Sequence, residues 1–292
     1  MPPRVVIPAK AGIHFFFPSR QGKMDSGLRR NDGILRTITA TRYVTPLREG
    51  GSLPAIVEAD DAGMYVLKFR GAGQGPKALI AELVAGEIAR ALGLPIPEIV
   101  FVELDPELAR TEPDPEIQDL IKASTGLNLA LDYLPGAVTF DPVVEEPDVD
   151  LASSIVWFDA LVTNVDRTPR NTNMLVWHRQ LWLIDHGAAL FFHHAWDEWL
   201  ARSTAPFALI KDHVLLPRAN RVAEVGEALA ARLDSRTIDA IVGNIPAAWL
   251  GGDAPFADHR EHRDAYATWL KRRRDASRIL VEEAIRARAR HL

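Results

Sequence analysis

The chain has no cysteine among its 292 residues. Disulfides, thiolate metal sites and thiol nucleophiles are therefore excluded, and a reducing cytoplasm is the expected compartment. No run approaches the roughly 18 apolar residues that a membrane-spanning helix requires, so no membrane partner is expected. Charge of one sign is also scarce. Lys and Arg number 34 against 39 Asp and Glu, a net charge of -5, which gives no global argument for nucleic acid. What remains is ordinary globular composition, 47% apolar and 25% charged, sufficient for one large or two modest cores.

Residues 1–33, MPPRVVIPAKAGIHFFFPSRQGKMDSGLRRNDG, carry a short apolar patch but no sustained hydrophobic region followed by a small-residue cleavage site. They resemble the translation of a dispersed bacterial intergenic repeat, with VIPAKAGI and KMDSGLRRNDG as its two arms. On that reading the segment is spurious or disordered, and translation is expected to start near Ile34 or Leu35. The competing reading is a real arm or an edge strand built on IHFFF.

From Ile34 onward the pattern becomes regular. ILRTITATRYV alternates as a strand, and LREGGSLPAIVEADD places a Gly-Gly turn before a second strand. MYVLKFR reads as a third strand, with Tyr65, Leu67 and Phe69 on one face and Val66 and Lys68 on the other. PKALIAELVAGEIARALG predicts an amphipathic helix, opened by Pro76 and stopped by Gly93. PIPEIVFVEL and LNLALDYLPG predict two more strands, and the acidic, proline-rich stretch from Asp105 to Asp119 between them predicts a surface loop. ASSIVWFDALVTN predicts an apolar helix, and the chain beyond Gly187 is mostly helical. This order predicts an α+β protein, with a small antiparallel-sheet lobe and one helix over residues 34–135 and a larger helical lobe over 136–292. The hinge is expected near Tyr133 to Gly136.

The chemistry concentrates in TNVDRTPRNTNMLVWHRQLWLIDHG, residues 163–187. VDRTPRN supplies a carboxylate at Asp166 and an amide oxygen at Asn171, with Pro169 turning the loop between them. MLVW and LWLI predict a hairpin that returns Asp185 beside Asn171. Phosphoryl transfer from ATP needs little more than a carboxylate to orient the attacking hydroxyl and hard oxygen donors for Mg²⁺. Asp166 suits the first task, and Asn171 with Asp185 the second. The alternative is a polar loop between two buried strands.

D-x₄-N, an apolar hairpin and D-x-G together resemble the protein-kinase-like superfamily. The Asp-Arg pair in the loop is closer to its lipid-kinase and HipA-like branches, and here Asn164 stands where H-R-D has His and DHG where others have D-F-G. ELVAGEIARALGLPIPE resembles the HipA-like helix and its exit. On this ground residues 36–215 resemble a HipA-like kinase domain. The resemblance implies a two-lobed kinase fold, ATP and Mg²⁺ as cofactors, and transfer to a hydroxyl on a protein Ser/Thr or a small molecule. It implies that Lys68 holds the phosphates, oriented by Glu82, with Glu87 as the fallback. It places adenine against the backbone of Asp132, Tyr133 and Leu134, and a phosphate-covering turn at Gly50, Gly51 and Ser52. Arg167 or Arg170 would offset charge on the transferred group. Only a short segment precedes the small lobe, where full-length HipA toxins have an N-terminal subdomain, so the resemblance leaves the toxin role and any antitoxin or operator-DNA partner open.

GAGQGPK mimics a Walker loop, but Pro76 separates Gly75 from Lys77 and Ala78 replaces the hydroxyl residue. Gln74 and Lys77 can still contact phosphate. His178, His186, His193 and His194 match no familiar ligand spacing; His186 reads as a packing element of the turn. The basic C-terminal helix (KRRR at 271–274) reads as a solvated face, with Trp269, Ile279, Leu280 and Ile285 packed inward. Competing functions are an inert nucleotide-binding pseudokinase acting as an interaction module and a metal-dependent hydrolase.

Overall fold

The computed structural model describes residues 35–47, 53–252 and 254–290. The expectations for residues 1–33 and for the Gly50-Gly51-Ser52 turn lie outside them. Five strands come first, β1 (Thr37–Pro46), β2 (Ala55–Ala59), β3 (Met64–Lys68), β4 (Ile99–Leu104) and β5 (Gly126–Asp132). They close into a barrel in the order β1-β2-β3-β5-β4. Four of the pairings are antiparallel. The closing pair, β1 with β4, is parallel, with Thr37 opposite Phe101 and Ile38 opposite Val102, which corrects the expected all-antiparallel sheet. Alternation put the faces of β3 correctly: Tyr65 and Leu67 are buried in the barrel, while Val66 and Lys68 point out of it.

Helix α1 (Pro76–Leu92) has Pro76 at its first position and ends on Gly93 in the left-handed conformation (φ 79°), where a glycine stops a helix without strain. It is buried on nearly every side rather than along one stripe. Gly86 is required by close approach, because a Cβ there would lie 2.4 Å from Ile99 Cδ1.

The predicted loop over 105–119 is instead a 3₁₀ turn (Pro106–Thr111) followed by α2 (Pro115–Ala123). Both start with the same tripeptide, Asp-Pro-Glu. Asp105 and Asp114 accept from the backbone N–H two residues on, at 2.8 and 3.0 Å, and each proline occupies a position whose missing N–H costs nothing. Residues 34–135 therefore hold two α-helices, not one.

Beyond residue 135 the chain forms a short sheet, β6 (Val138–Thr139), β7 (Met174–Trp177) and β8 (Gln180–Leu183), and then helices. Helix α3 (Val149–Val162) is capped by Asp148, which accepts from Asp150 N and Leu151 N. It is followed by α4 (Trp199–Arg202), α5 (Val222–Arg232), α6 (Ser235–Gly243), α7 (His259–Asp275) and α8 (Ser277–Arg288). The final basic segment is thus two helices with a corner at Ala276, where Ser277 Oγ accepts from the Trp157 indole at 2.8 Å. Trp269 and Leu280 are buried as expected, but Ile285 is half exposed. One hydrophobic core fills the barrel, and a larger one runs from α1 and the outer faces of β4 and β5 through α3 to α8. No helix among the described residues is long and apolar enough to cross a membrane.

Candidate active site

Lys68 ends β3, which lies between β2 and β5 and so is not an edge strand. Its ammonium is 2.8 Å from Asp185 Oδ1 and 3.6 Å from Glu82 Oε2. Burial alone would lower its pKa, but Glu82 and Asp185 outweigh that and hold it raised. Glu82 projects from α1 and is 1% exposed. Its carboxylate also accepts the backbone N–H of His186 at 3.0 Å. Burial pushes its pKa up, while Lys68 and His186 pull it down to about 2. Glu82 therefore ties the strand lysine to the Asp185-His186-Gly187 turn. Glu87 is elsewhere, paired with Arg90.

Asp185 reaches this position because the chain turns twice. The β7–β8 hairpin is closed by His178 and Arg179, both at positive φ (49° and 64°), as a two-residue hairpin turn requires. Asp185 itself lies at φ 54°. Thr163, Asn173 and Leu190 are also non-glycine residues in the left-handed region. Strain of this kind gathers where a fold over-determines a functional loop.

Asp166 is not itself among the residues that line the cleft beside Lys68 and Asp185, and among the described residues it is held by neutral amides. Asn171 Nδ2 donates to its Oδ2 at 2.8 Å, and Asn173 Nδ2 donates to the same oxygen at 3.2 Å and to its carbonyl at 3.1 Å. A carboxylate only accepts, so the amide nitrogen of Asn171 must face Asp166 and its Oδ1 is left as a free oxygen donor. Asn173 was not anticipated from sequence.

Lys68, Asp132, Tyr133, Leu134, Asn171 and Asp185 line one cleft of about 1160 Å³. Within it the Tyr133 N–H donates to Met64 O at 3.0 Å and the Leu134 carbonyl accepts from the Ala137 N–H at 3.2 Å. Arg170 also lines the cleft, but Arg167 does not. Arg167 is 1% exposed and pairs with Asp159 at 2.6 Å. The charge-offsetting task needs a side chain that reaches the cleft, and of the two arginines that is Arg170.

Two further residues escaped sequence reading. Asp159 is a carboxylate in the apolar last turns of α3, a pattern that calls for a buried partner. Arg273, in the supposedly solvated KRRR run, is buried and donates to the carbonyls of Ala160 and Leu161 at 2.7 and 2.9 Å, capping the end of α3 from which the Asp166 loop departs. Its signal was the spacing of four from buried Trp269, over whose ring it lies at 5.1 Å. The histidines do not form a metal cluster. His178 sits in the hairpin turn, His186 lies behind Asp185, and His193 meets Tyr266 Oη at 3.0 Å. No group of three or more His, Cys, Asp or Glu among the described residues is placed to hold an ion.

A barrel that carries a buried lysine–glutamate pair beside a cleft and is followed by a mostly helical part is a kinase-like fold. The family model for HipA-like kinases matches residues 41–277, and the chain belongs to that family. It is by that membership an ATP-dependent kinase, a phosphotransferase by class. Similar solved structures are kinases as well. The Helicobacter pylori proinflammatory kinase CtkA is 15% identical with a TM-score of 0.51, over 88% of this chain and 99% of that one. The Golgi casein kinase with Mn/ADP bound is 11% identical with a TM-score of 0.50, over 85% and 74%. A second structure of the Golgi casein kinase is 12% identical with a TM-score of 0.50, over the same shares. Likeness at such identity bears on the fold alone. No match was found among curated proteins.

Proposed function

We propose that the chain transfers the γ-phosphoryl group of ATP to a hydroxyl, the barrel and the helical part acting as the two lobes of the kinase. The observation that carries this is Lys68 meeting Glu82 and Asp185 together at the wall of the cleft. Lys68, kept charged by two carboxylates, holds the α- and β-phosphates. Glu82 orients it and fixes the Asp185 turn through the His186 N–H. The backbone of residues 132–134 takes the adenine edge.

Asp166 orients the acceptor. Its Oδ2 is occupied by the two asparagine amides, so Oδ1 is the oxygen offered to the incoming hydroxyl. The hydroxyl oxygen bonds to the γ-phosphorus, the bond to the ADP oxygen breaks, and Asp166 accepts the proton. A divalent ion fits Asn171 Oδ1 and Asp185, both hard oxygen donors on the same cleft, and Mg²⁺ is the ion their chemistry favours. When bound it would neutralise charge between the β- and γ-phosphates. The Mn/ADP of the Golgi casein kinase structure supports this use of nucleotide and divalent ion. Arg170 is the cation placed to offset charge on the transferred group. The acceptor is a protein Ser/Thr by family resemblance.

The test is γ-labelled ATP incubated with the purified chain and a cell extract. Wild type should label an acceptor, and Asp166→Ala should lower transfer about 1000-fold. Transfer unchanged in Asp166→Ala would overturn the assignment. Phosphate release without any labelled acceptor would make the protein a hydrolase instead.

A further inference from the structure

Asp159 is wholly buried, in the last turn of α3, and does not line the cleft. Its Oδ1 accepts from Asn164 Nδ2 at 2.9 Å, and its Oδ2 accepts from Arg167 Nε at 2.6 Å and His213 Nε2 at 2.9 Å. The donor roles are fixed by chemistry. His213 Nδ1 accepts the backbone N–H of Leu215 at 3.0 Å, so the single proton of the neutral imidazole sits on Nε2, the nitrogen facing Asp159. Burial works against the Asp159 carboxylate, yet Arg167 and His213 hold its pKa well below the usual range.

Two branches lead from this carboxylate to Asp166. Asn164, with its amide nitrogen committed to Asp159, offers Oδ1 to the Asp166 backbone N–H at 3.1 Å. Arg167 donates its Nη1 to the carbonyl of Asn173, and Asn173 Nδ2 in turn donates to the Asp166 carbonyl and to Oδ2. The backbone closes a third contact, with Val214 N–H donating to Arg167 O at 3.0 Å. Residues 213 and 214 thus hold both ends of the Asp159–Arg167 pair.

A buried ion pair is weak evidence for stability, since well-packed apolar residues commonly serve as well. What such a pair does supply is register: it admits one arrangement of the groups bonded to it. We propose that Asp159 is the positioning residue that sets the orientation of Asp166, with His213 as its neutral second donor. This rests on Asp166 being the group that orients the acceptor hydroxyl. A misplacement of about 1 Å at such a group costs on the order of 100-fold in rate.

Asp159→Asn preserves shape but replaces one of two accepting oxygens with a donor, which then faces either the Asn164 amide or Arg167 and His213. In it, kcat for ADP release from ATP should fall about 100-fold. KM for ATP should move less than about 3-fold, because Lys68, Glu82 and Asp185 are untouched. His213→Gln keeps an N–H donor at the Nε2 position and should retain most of wild-type kcat, whereas His213→Leu should lose about 10-fold. This second pair decides the matter if Asp159→Asn does not fold. Circular dichroism, with assays run well below each melting midpoint, separates lost activity from lost fold.

The proposal is overturned if kcat falls only with the folded fraction, if KM rises as much as kcat falls, or if His213→Leu matches His213→Gln. Asp166→Ala, measured alongside, distinguishes the two layers. Turnover unchanged there removes the reading of Asp166 itself. Turnover abolished there, while Asp159→Asn and His213→Leu stay active, removes only the positioning role.

Discussion

The two acidic poles of the proposed site, Asp185 in the cleft and Asp166 bonded to the cleft residues Asn171 and Asn173, are held in opposite ways. Asp185 meets a lysine from β3, which in turn meets a glutamate from α1, so two neighbouring elements and a turn more than 100 residues away converge through charge. Among the described residues the Asp166 carboxylate accepts from neutral amides five and seven positions away, and the charge that steadies its loop is buried at Arg167 and Asp159. The first pole depends on how the barrel packs against the hairpin. The second is built within one loop and needs only that loop's floor.

The largest effect that would sharpen this contrast is loss of the long-range pole. Asp185→Ala should lower ATP turnover about 1000-fold and weaken its divalent-ion dependence; titration of turnover against Mg²⁺ checks both. Next comes Lys68→Met, which should cost about 100-fold in kcat/KM and about 3 kcal/mol of stability, because Glu82 is left buried beside too little compensating charge. Adding Glu82→Leu should recover the melting temperature but not the turnover, separating packing from chemistry.

A smaller effect lies in acid stability. Glu82 has a folded pKa of about 2 against an ordinary 4.5. A depressed carboxylate adds stability that is fully present above about pH 4.5 and disappears as pH falls toward 2. Denaturant unfolding of Glu82→Gln should accordingly show a flatter pH slope across that window than wild type. An equal slope would mean that the lysine pole is not held by charge. The smallest effect is expected from Glu87→Gln, within about two-fold of wild-type turnover; a loss as large as that of Glu82→Gln would reverse the choice between the two glutamates.

The long-range pole was the more legible one. Lys68 was readable because strand alternation fixes its face, and Glu82, Asp166, Asn171 and Asp185 fall at family spacing. Side chains that hold others were less visible. Nothing local marks Asn173 among the several amides of RNTNM, and Arg167 reads as a cleft residue until its partner Asp159, in another element, is known. The helix starts at Asp105 and Asp114 carry a local mark: acidic, proline-rich composition favours a loop, but Asp-Pro-Glu is a capping signal. The parallel β1–β4 closure had no sequence mark, because pairing between distant strands leaves no periodicity of its own.

That closure bears on fidelity. In a strand, a slip of one residue exchanges the two faces, so in β3 it would turn Leu67 toward the cleft and bury Lys68 among the barrel's apolar residues. An open sheet resists such a slip only through its neighbours on one or two sides. In a ring, β3 cannot slip unless β2 and β5 follow, and they are bound through β1 and β4 to each other. The parity of a single lysine is thereby guarded by every strand of the barrel.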